Sequence, residues 1–155
     1  MGLEIERKFL IKQEEWAKAC PYKSNLIRQA YLLTDPQKTI RLRVTDNKGF
    51  ITIKGARKDI TRHEFEYEIP VEEANQMIDH YTAKVIEKIR HYVSFDNKTW
   101  EVDEFKGINE GLWVAEIELQ SADEKILLPD WIDKEVSSDN RYANSSLISN
   151  PYSNW

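Results

Sequence analysis

Glu4-Ile5-Glu6-Arg7-Lys8-Phe9-Leu10 stands almost at the start of the chain. Read at a period of two, Glu4, Glu6 and Lys8 share one face, and Leu3, Ile5, Arg7 and Phe9 fall on the other. That alternation is the mark of a β-strand. The polar face carries two carboxylates and an ammonium in line, with no Ser, Thr or Gln between them. Taken alone, such a row reads as the solvated outside of an ordinary sheet. It recurs along the chain, and the recurrence decides the fold.

Seven further stretches alternate in the same way: Ile27 to Leu33, Thr39 to Thr45, Phe50 to Lys54, Thr61 to Pro70, Lys84 to Phe95, Thr99 to Phe105 and Leu112 to Leu119. Arg41 and Arg43 oppose Ile40, Leu42 and Val44. Lys54 opposes Ile51 and Ile53. Arg62, Glu64, Glu66 and Glu68 oppose Phe65, Tyr67 and Ile69. Lys88 and Arg90, Glu101 and Asp103, and Glu116 and Glu118 repeat the pattern, and Arg28 is assigned to the same charged set, opposite Ile27, Gln29 and Tyr31. Asp35-Pro36, Asp46-Asn47-Lys48-Gly49 and Asp96-Asn97-Lys98 are turn signals. Between the strands, Ala74, Met77, Ile78 and Tyr81 fall at helical spacing, which predicts a helix over Val71 to Tyr81. A shorter helix is expected over Glu14 to Cys20, stopped by Pro21. From Ser121 on the reading is loop and short helix, with Ser138 and Asn144 as N-caps of Asp139–Tyr142 and Ser145–Ile148, and a loosely held end after about Asn150.

A length of 155 residues fits one domain, 1–155, able to bury its own core. The net charge of −5 argues against general affinity for nucleic acid, which needs a basic surface. One cysteine, Cys20, excludes an internal disulfide. No signal-peptide pattern opens the chain and no apolar run approaches membrane-spanning length, so a cytoplasmic protein without a membrane partner is expected. His63, His80 and His91 show no zinc-ligand spacing and read as surface or packing residues. Chemistry therefore falls to carboxylates, lysines and arginines.

Six of the strands share a face built largely from charges of both signs, while the other face is aromatic and β-branched. An eight-stranded antiparallel barrel turned inside out accounts for both: charged rows in the lumen, apolar rows outside under helices. The fold class is α+β, mainly β. The inward set holds eight cations (Lys8, Arg28, Arg41, Arg43, Lys54, Arg62, Lys88, Arg90) and nine anions (Glu4, Glu6, Glu64, Glu66, Glu68, Glu101, Asp103, Glu116, Glu118), near enough to balance for a lumen that merely pairs with itself. The same residues also suit a function. Carboxylates at i and i+2, Glu4/Glu6 and Glu116/Glu118, are hard oxygen ligands of the kind Mg²⁺ or Mn²⁺ takes. Arg41 and Arg43, with Lys54, Lys88 and Arg90, offer the planar forks and point charges that a chain of phosphates needs. No glycine-rich phosphate loop is present.

In ordered blocks the chain resembles the CYTH superfamily of triphosphate tunnel metalloenzymes, in its short bacterial inorganic triphosphatase form. The blocks are Glu4 to Leu10, Arg28-Gln29-Ala30-Tyr31-Leu32, Arg41-Leu42-Arg43, Thr52-Ile53-Lys54, Arg62 to Glu66, Glu87-Lys88-Ile89-Arg90, Glu101 to Phe105, Glu116-Ile117-Glu118 and Asp139 to Tyr142. The resemblance implies a tunnel that binds a triphosphate with divalent metal and hydrolyses it. It implies a catalytic set of Glu4, Glu6, Lys8, Glu116 and Glu118. Metal would be held by Glu4, Glu6, Glu116 and Glu118, with Asp103 and Glu66 as further contributors, and Lys8, Arg41, Arg43, Lys54, Lys88 and Arg90 would grip phosphoryl oxygens. The tail around Arg141 and Tyr142 would close one end. Where some relatives carry a lysine after the matching Arg-Tyr, this chain has Ala143, which leaves Arg141 or Lys134 as the tail's basic groups. Two other activities fit the same residues: a class IV adenylyl cyclase, in which a ribose hydroxyl attacks in place of water, and a non-catalytic binder of polyphosphate or nucleotide.

Overall fold

Asp46 and Asn47 have φ of 50° and 64°, and Asp96 and Asn97 have 52° and 60°. Two consecutive left-handed residues are what a two-residue hairpin needs to match the twist of its strands, and Asn and Asp tolerate that region best after glycine. These turns join β3 (Lys38–Thr45) to β4 (Lys48–Gly55) and β6 (Ile86–Phe95) to β7 (Lys98–Phe105). The computed structural model describes residues 2–155. Its other strands are β1 (Gly2–Ile11), β2 (Lys23–Asp35), β5 (Thr61–Ile69), β8 (Trp113–Glu118) and β9 (Ile132–Glu135); its α-helices are α1 (Gln13–Trp16), α2 (Val71–Tyr81) and α3 (Asn144–Ser149).

The sheet order β5-β4-β3-β2-β6-β7-β8-β1 closes through pairing of β5 with β1, giving an eight-stranded antiparallel barrel. Strand β1 makes the closure. Its first residues pair with β5 (Gly2↔Glu64, Glu4↔Arg62), and Glu6 to Phe9 pair with β8. Beyond Ile5, β9 takes up the edge that β5 leaves, pairing with Phe9 and Ile11. This ninth strand lies in a stretch expected to be loop, and it gives β1 a partner where the barrel wall ends.

The apolar faces point outward, and most are covered. Phe9, Trp100, Val102, Ala115 and Ile117 are buried beneath Trp16 of α1 and the Trp131–Ile132 segment. On the other side, α2 lays Ile78 and Met77 over Ala30 and Leu42, and buries Ala74 against Gly49. Gly49 permits this contact: a Cβ there would meet the Ala74 Cβ at 2.7 Å. The cover is uneven. Ile53, Phe65 and Tyr67, expected to lie under helices, remain 39, 47 and 59% exposed; the apolar cluster around α2 takes in Ile51 of β4 and Ile69 of β5 but not these three.

One end of the barrel is filled. Ile86, Phe105 and Val114 close around Leu147 of α3, with Tyr31 and Tyr142 beside them. The tail therefore shuts the lumen with an apolar plug. Arg141 stays outside, where it stacks on Trp155 at 4.7 Å and pairs with Asp139, and Lys134 is exposed on β9. Residues after Asn150 also pack: Tyr152 N–H donates to Asn109 Oδ1 at 2.8 Å, and Trp155 meets Tyr142 edge-on.

Three local expectations differ. Helix α1 ends at Trp16, because Lys18 and Ala19 N–H groups turn back to carbonyls three residues before them and tighten the chain. Asp139, not Ser138, caps the turn at Asn140–Tyr142, accepting from Arg141 N–H at 3.1 Å. Asn144 is the first residue of α3, not its cap, and its side chain points into the barrel.

Candidate active site

Antiparallel register turns the alternating sequence rows into rings. Glu6 lies opposite Glu118 and Lys8 opposite Glu116 across β1 and β8, and Glu101 lies opposite Glu116 across β7 and β8. On the other arc, Arg41 pairs in register with Thr52 and Thr52 with Glu66. In the ring order β8 stands four strands from β3, and β7 four from β4, either way round. Glu116, Glu118 and Glu101 thus form a wall that faces Arg41, Arg43 and Lys54. The enclosed cavity is about 200 Å³ and is lined by seven carboxylates and six cations, with Tyr31 its one aromatic among the described residues.

The acidic wall is under electrostatic strain. Burial raises the pKa of Glu6, and the diagonal neighbour Glu116 raises it further, with Lys8 only partly offsetting. Burial likewise raises Glu4, Glu101 and Glu118, and Glu118 also feels Glu4, Glu101 and Glu6. Like charges opposed on one sheet face cost free energy unless a cation sits between them. Glu116 is the exception: burial would raise it, but Lys8 at 3.7 Å and Arg90 at 3.7 Å outweigh that and hold it down to about 2.

The cations divide into held and available groups. Arg90 forks onto Asp103, with Nε to Oδ1 at 2.7 Å and Nη2 to Oδ2 at 2.9 Å, and Nη1 reaches Glu101 at 3.1 Å. Lys88 Nζ donates to Asp103 Oδ2 at 2.8 Å, and neither side chain has any exposure. Burial drives the Lys88 ammonium down to about 7 despite Asp103. Arg43 is lowered to about 10 by burial and by its neighbours Arg41 and Arg90. Arg41 donates from Nη2 to Thr52 at 3.1 Å and Glu66 at 3.3 Å, while its buried Nε has no partner. A buried guanidinium N–H without an acceptor, in a cavity lined by cations, is placed to meet an anionic oxygen.

Most of the residues singled out from sequence converge here. Glu4, Glu6, Lys8, Arg41, Arg43, Lys54, Glu66, Arg90, Glu116 and Glu118 all line the cavity, as do Arg62, Glu64 and Glu101. Lys88 and Asp103 do not; they lie behind the lining, and both Asp103 oxygens accept from Arg90, Oδ2 from Lys88 as well. Two charged residues assigned to the interior lie elsewhere. Arg28 is on the outer face, donating to Asn75 and Asp79 of α2 at 2.8 and 2.6 Å, and Glu68 is exposed near the end of β5. On β2 the interior belongs to Ile27, Gln29 and Tyr31, the less polar row. Sequence reasoning missed four participants. Gln29 accepts from Arg43 Nε, Asn144 accepts from Lys88, Thr52 bridges Arg41 and Glu66, and Arg57 reaches Glu6 at 3.5 Å from the β4–β5 connection. Only Gln29 and Thr52 carried a signal, since each sits in register with a charged lumen row.

The donor set fits a hard divalent cation: carboxylate oxygens, no thiolate or imidazole in the lining, and mutual repulsion that such an ion would relieve. Among the described residues no three acidic, His or Cys side chains form a ready-made cage. That suits an ion held by one or two carboxylates plus water and substrate phosphates, the usual mode for Mg²⁺.

A closed antiparallel barrel whose lumen sets a carboxylate wall against guanidinium and ammonium groups defines a class of protein, one that encloses a polyanion together with its counter-cation. The chain belongs to the CYTH domain family, whose profile matches residues 2–150. An inorganic triphosphatase of Acetivibrio thermocellus is 47% identical over 156 residues, spanning 100% of this chain and 99% of that protein. An inorganic triphosphatase of Nitrosomonas europaea is 31% identical over 150 residues, 93% of this chain and 95% of that protein. A solved structure of an inorganic triphosphatase superposes with a TM-score of 0.64 at 29% identity, over 94% of this chain and 93% of that one. No helix among the described residues is long and apolar enough to cross a membrane.

Proposed function

We propose that this chain, acting as one domain over 1–155, hydrolyses a triphosphate, foremost inorganic tripolyphosphate, with Mg²⁺ or Mn²⁺ ions each held by one or two of Glu4, Glu6, Glu116 and Glu118. The observation that carries the reading is the opposition of walls: Glu101, Glu116 and Glu118 on β7 and β8 stand across a narrow lumen from Arg41, Arg43 and Lys54, and Glu4 of β1 reaches Lys54 at 3.1 Å. Phosphoryl transfer asks little covalent work of a protein; it needs the chain of phosphates fixed in line and the charge on leaving oxygens offset. Arg41, with its unpartnered Nε, Arg43 and Lys54 bind the phosphoryl oxygens, while Lys8 stands between Glu6 and Glu116 within the acidic wall. When bound, the divalent ion supplies charge neutralisation and orientation of the attacking water. Water oxygen bonds to a terminal phosphorus, the anhydride P–O bond breaks, and phosphate and pyrophosphate leave. Asp103 serves this site through Arg90 and Lys88 and not as a ligand, and Glu66 stands beside Arg41 at the cavity wall.

Hydrolysis is favoured over cyclisation. A cyclase must also house adenine, and drug-sized organic sites are about 300–1,000 Å³ and mostly apolar. This cavity is about 200 Å³ and almost wholly polar, and both full-length relatives bear the triphosphatase name. The test is to supply tripolyphosphate or ATP with Mg²⁺ or Mn²⁺ and measure phosphate, pyrophosphate and cyclic AMP. Phosphate from tripolyphosphate, abolished by a chelator and restored by the cation, is the expected result. Cyclic AMP with pyrophosphate from ATP, or tight binding without turnover, overturns it.

A further inference from the structure

The first residue of α3 reaches the buried Lys88 directly and Arg43 through Gln29. Asn144 Oδ1 accepts from Lys88 Nζ at 3.0 Å and from Gln29 Nε2 at 3.2 Å, and Gln29 Oε1 accepts from Arg43 Nε at 3.2 Å. Lysine and arginine are donors only, so the polarity of this chain is set from both ends. Lys88 requires an oxygen from Asn144. That oxygen then takes the Gln29 amide as its second donor, which turns the Gln29 carbonyl toward Arg43. Neither amide can flip without opposing two donors. Leu147 lies one turn further along the same helix face and is fully buried in the apolar plug, so the plug fixes where Asn144 stands.

We propose that Asn144 is a positioning residue for the triphosphate site: it carries the seating of the tail's plug to Arg43, through Gln29, and to Arg90, through Lys88 and Asp103 behind the lumen. The substrate would then meet aligned cations only when α3 is seated. This rests on the triphosphatase reading for its kinetic consequence, but the geometry it asserts belongs to the protein without substrate. Nothing in the alternation of the strands points to it, since Asn144 comes from α3, which is not part of the barrel wall.

Four variants test it: Asn144→Ala, Asn144→Asp, which keeps an oxygen at the same position, Gln29→Ala, and the Asn144→Ala/Gln29→Ala double variant. In Asn144→Ala, kcat/KM for tripolyphosphate should fall about tenfold, the scale of a hydrogen bond to a charged group, chiefly through KM. Asn144→Asp should recover most of that loss. The double variant should lose much less than the product of the single losses, because Asn144 and Gln29 act on Arg43 in series. Hydrogen exchange at Arg43 Nε–H, followed by NMR without substrate, should accelerate in Asn144→Ala and in Gln29→Ala. Unchanged exchange and KM in Asn144→Ala, no recovery in Asn144→Asp, or losses that multiply would each overturn the proposal. A wild-type protein inert toward tripolyphosphate would instead end the functional reading, and the exchange measurement alone would then decide the role of Asn144.

Discussion

Glu6 on β1 and Glu118 on β8 are direct cross-strand partners, two carboxylates opposed on one rung of the barrel. Both have raised pKa values, from burial first and neighbouring carboxylates second. A carboxyl whose folded pKa exceeds its unfolded one holds more protons in the folded state between the two values, so stability falls as pH rises through that window. In metal-free protein, Glu6→Gln should therefore gain stability relative to wild type as pH climbs above 4.5, the ordinary glutamate value. Added Mg²⁺ should erase the difference, because it stabilises only the carboxylate form. Urea midpoints of both proteins against pH, with chelator and then with Mg²⁺, check this. A constant offset at every pH would mean that the repulsion is absent.

Two residues along the same strand, the opposite holds. Glu116 is pushed down to about 2 by Lys8 and Arg90, so it contributes stability that is present above its unfolded value and lost only as pH falls toward 2. Glu116→Gln leaves both cations short of a partner and should cost on the order of 2 kcal/mol. Glu118→Gln should cost nothing or stabilise. Both should lower tripolyphosphate turnover by about 100-fold or more, the scale seen when one charge-stabilising group is removed from an active site. Thermal unfolding set beside kcat separates the two effects. Equal stability of the variants would contradict the division of the acidic wall.

Gly49 tests the outer packing independently of the chemistry. An alanine Cβ there would come within 2.7 Å of the Ala74 Cβ and 3.1 Å of the Ile69 carbonyl, neither of which is a flexible tip. Gly49→Ala should push α2 off β4 and cost about 1–3 kcal/mol, as overpacking does. Its KM for tripolyphosphate should stay within about twofold, because additivity holds for sites that share no partners. Loss of activity without loss of stability would link α2 to the lumen.

The barrel was legible because charge marks a face more sharply than polarity does. On β1, β3 and β8 the rows Glu4-Glu6-Lys8, Arg41-Arg43 and Glu116-Glu118 leave no doubt about which residues lie together, and register then brings the rows into one cavity. The same rule misplaced Arg28. On β2 the charged residue pairs with Asp79 outside, and the uncharged Gln29 is the lumen group, because an interior crowded with cations needs a neutral acceptor as much as another charge. Strand β9 has only four residues, too few to show a period. Asn144 read as a helix cap because asparagine suits that position equally well. Its contact with Lys88 depends on where a tail more than fifty residues away in sequence folds back, which no local pattern encodes.

Arg41 gives the sharpest test of phosphate recognition. Its Nη2 is engaged by Thr52 and Glu66, and its Nε is buried without an acceptor. Such an N–H costs about 1–3 kcal/mol while it stays unpaired. A phosphoryl oxygen in the lumen would remove that cost on binding, which makes the guanidinium selective for an anion at that spot. Lysine keeps the charge but lacks the fork: its single Nζ cannot stand at once where Nη2 meets Glu66 and where Nε faces the lumen. Arg41→Lys should thus raise KM for tripolyphosphate about tenfold or more, while Arg41→Ala should raise it further and also destabilise the Thr52–Glu66 pair. If Arg41→Lys retained wild-type KM, a point charge would suffice there, and the unpartnered Nε would have no part in binding.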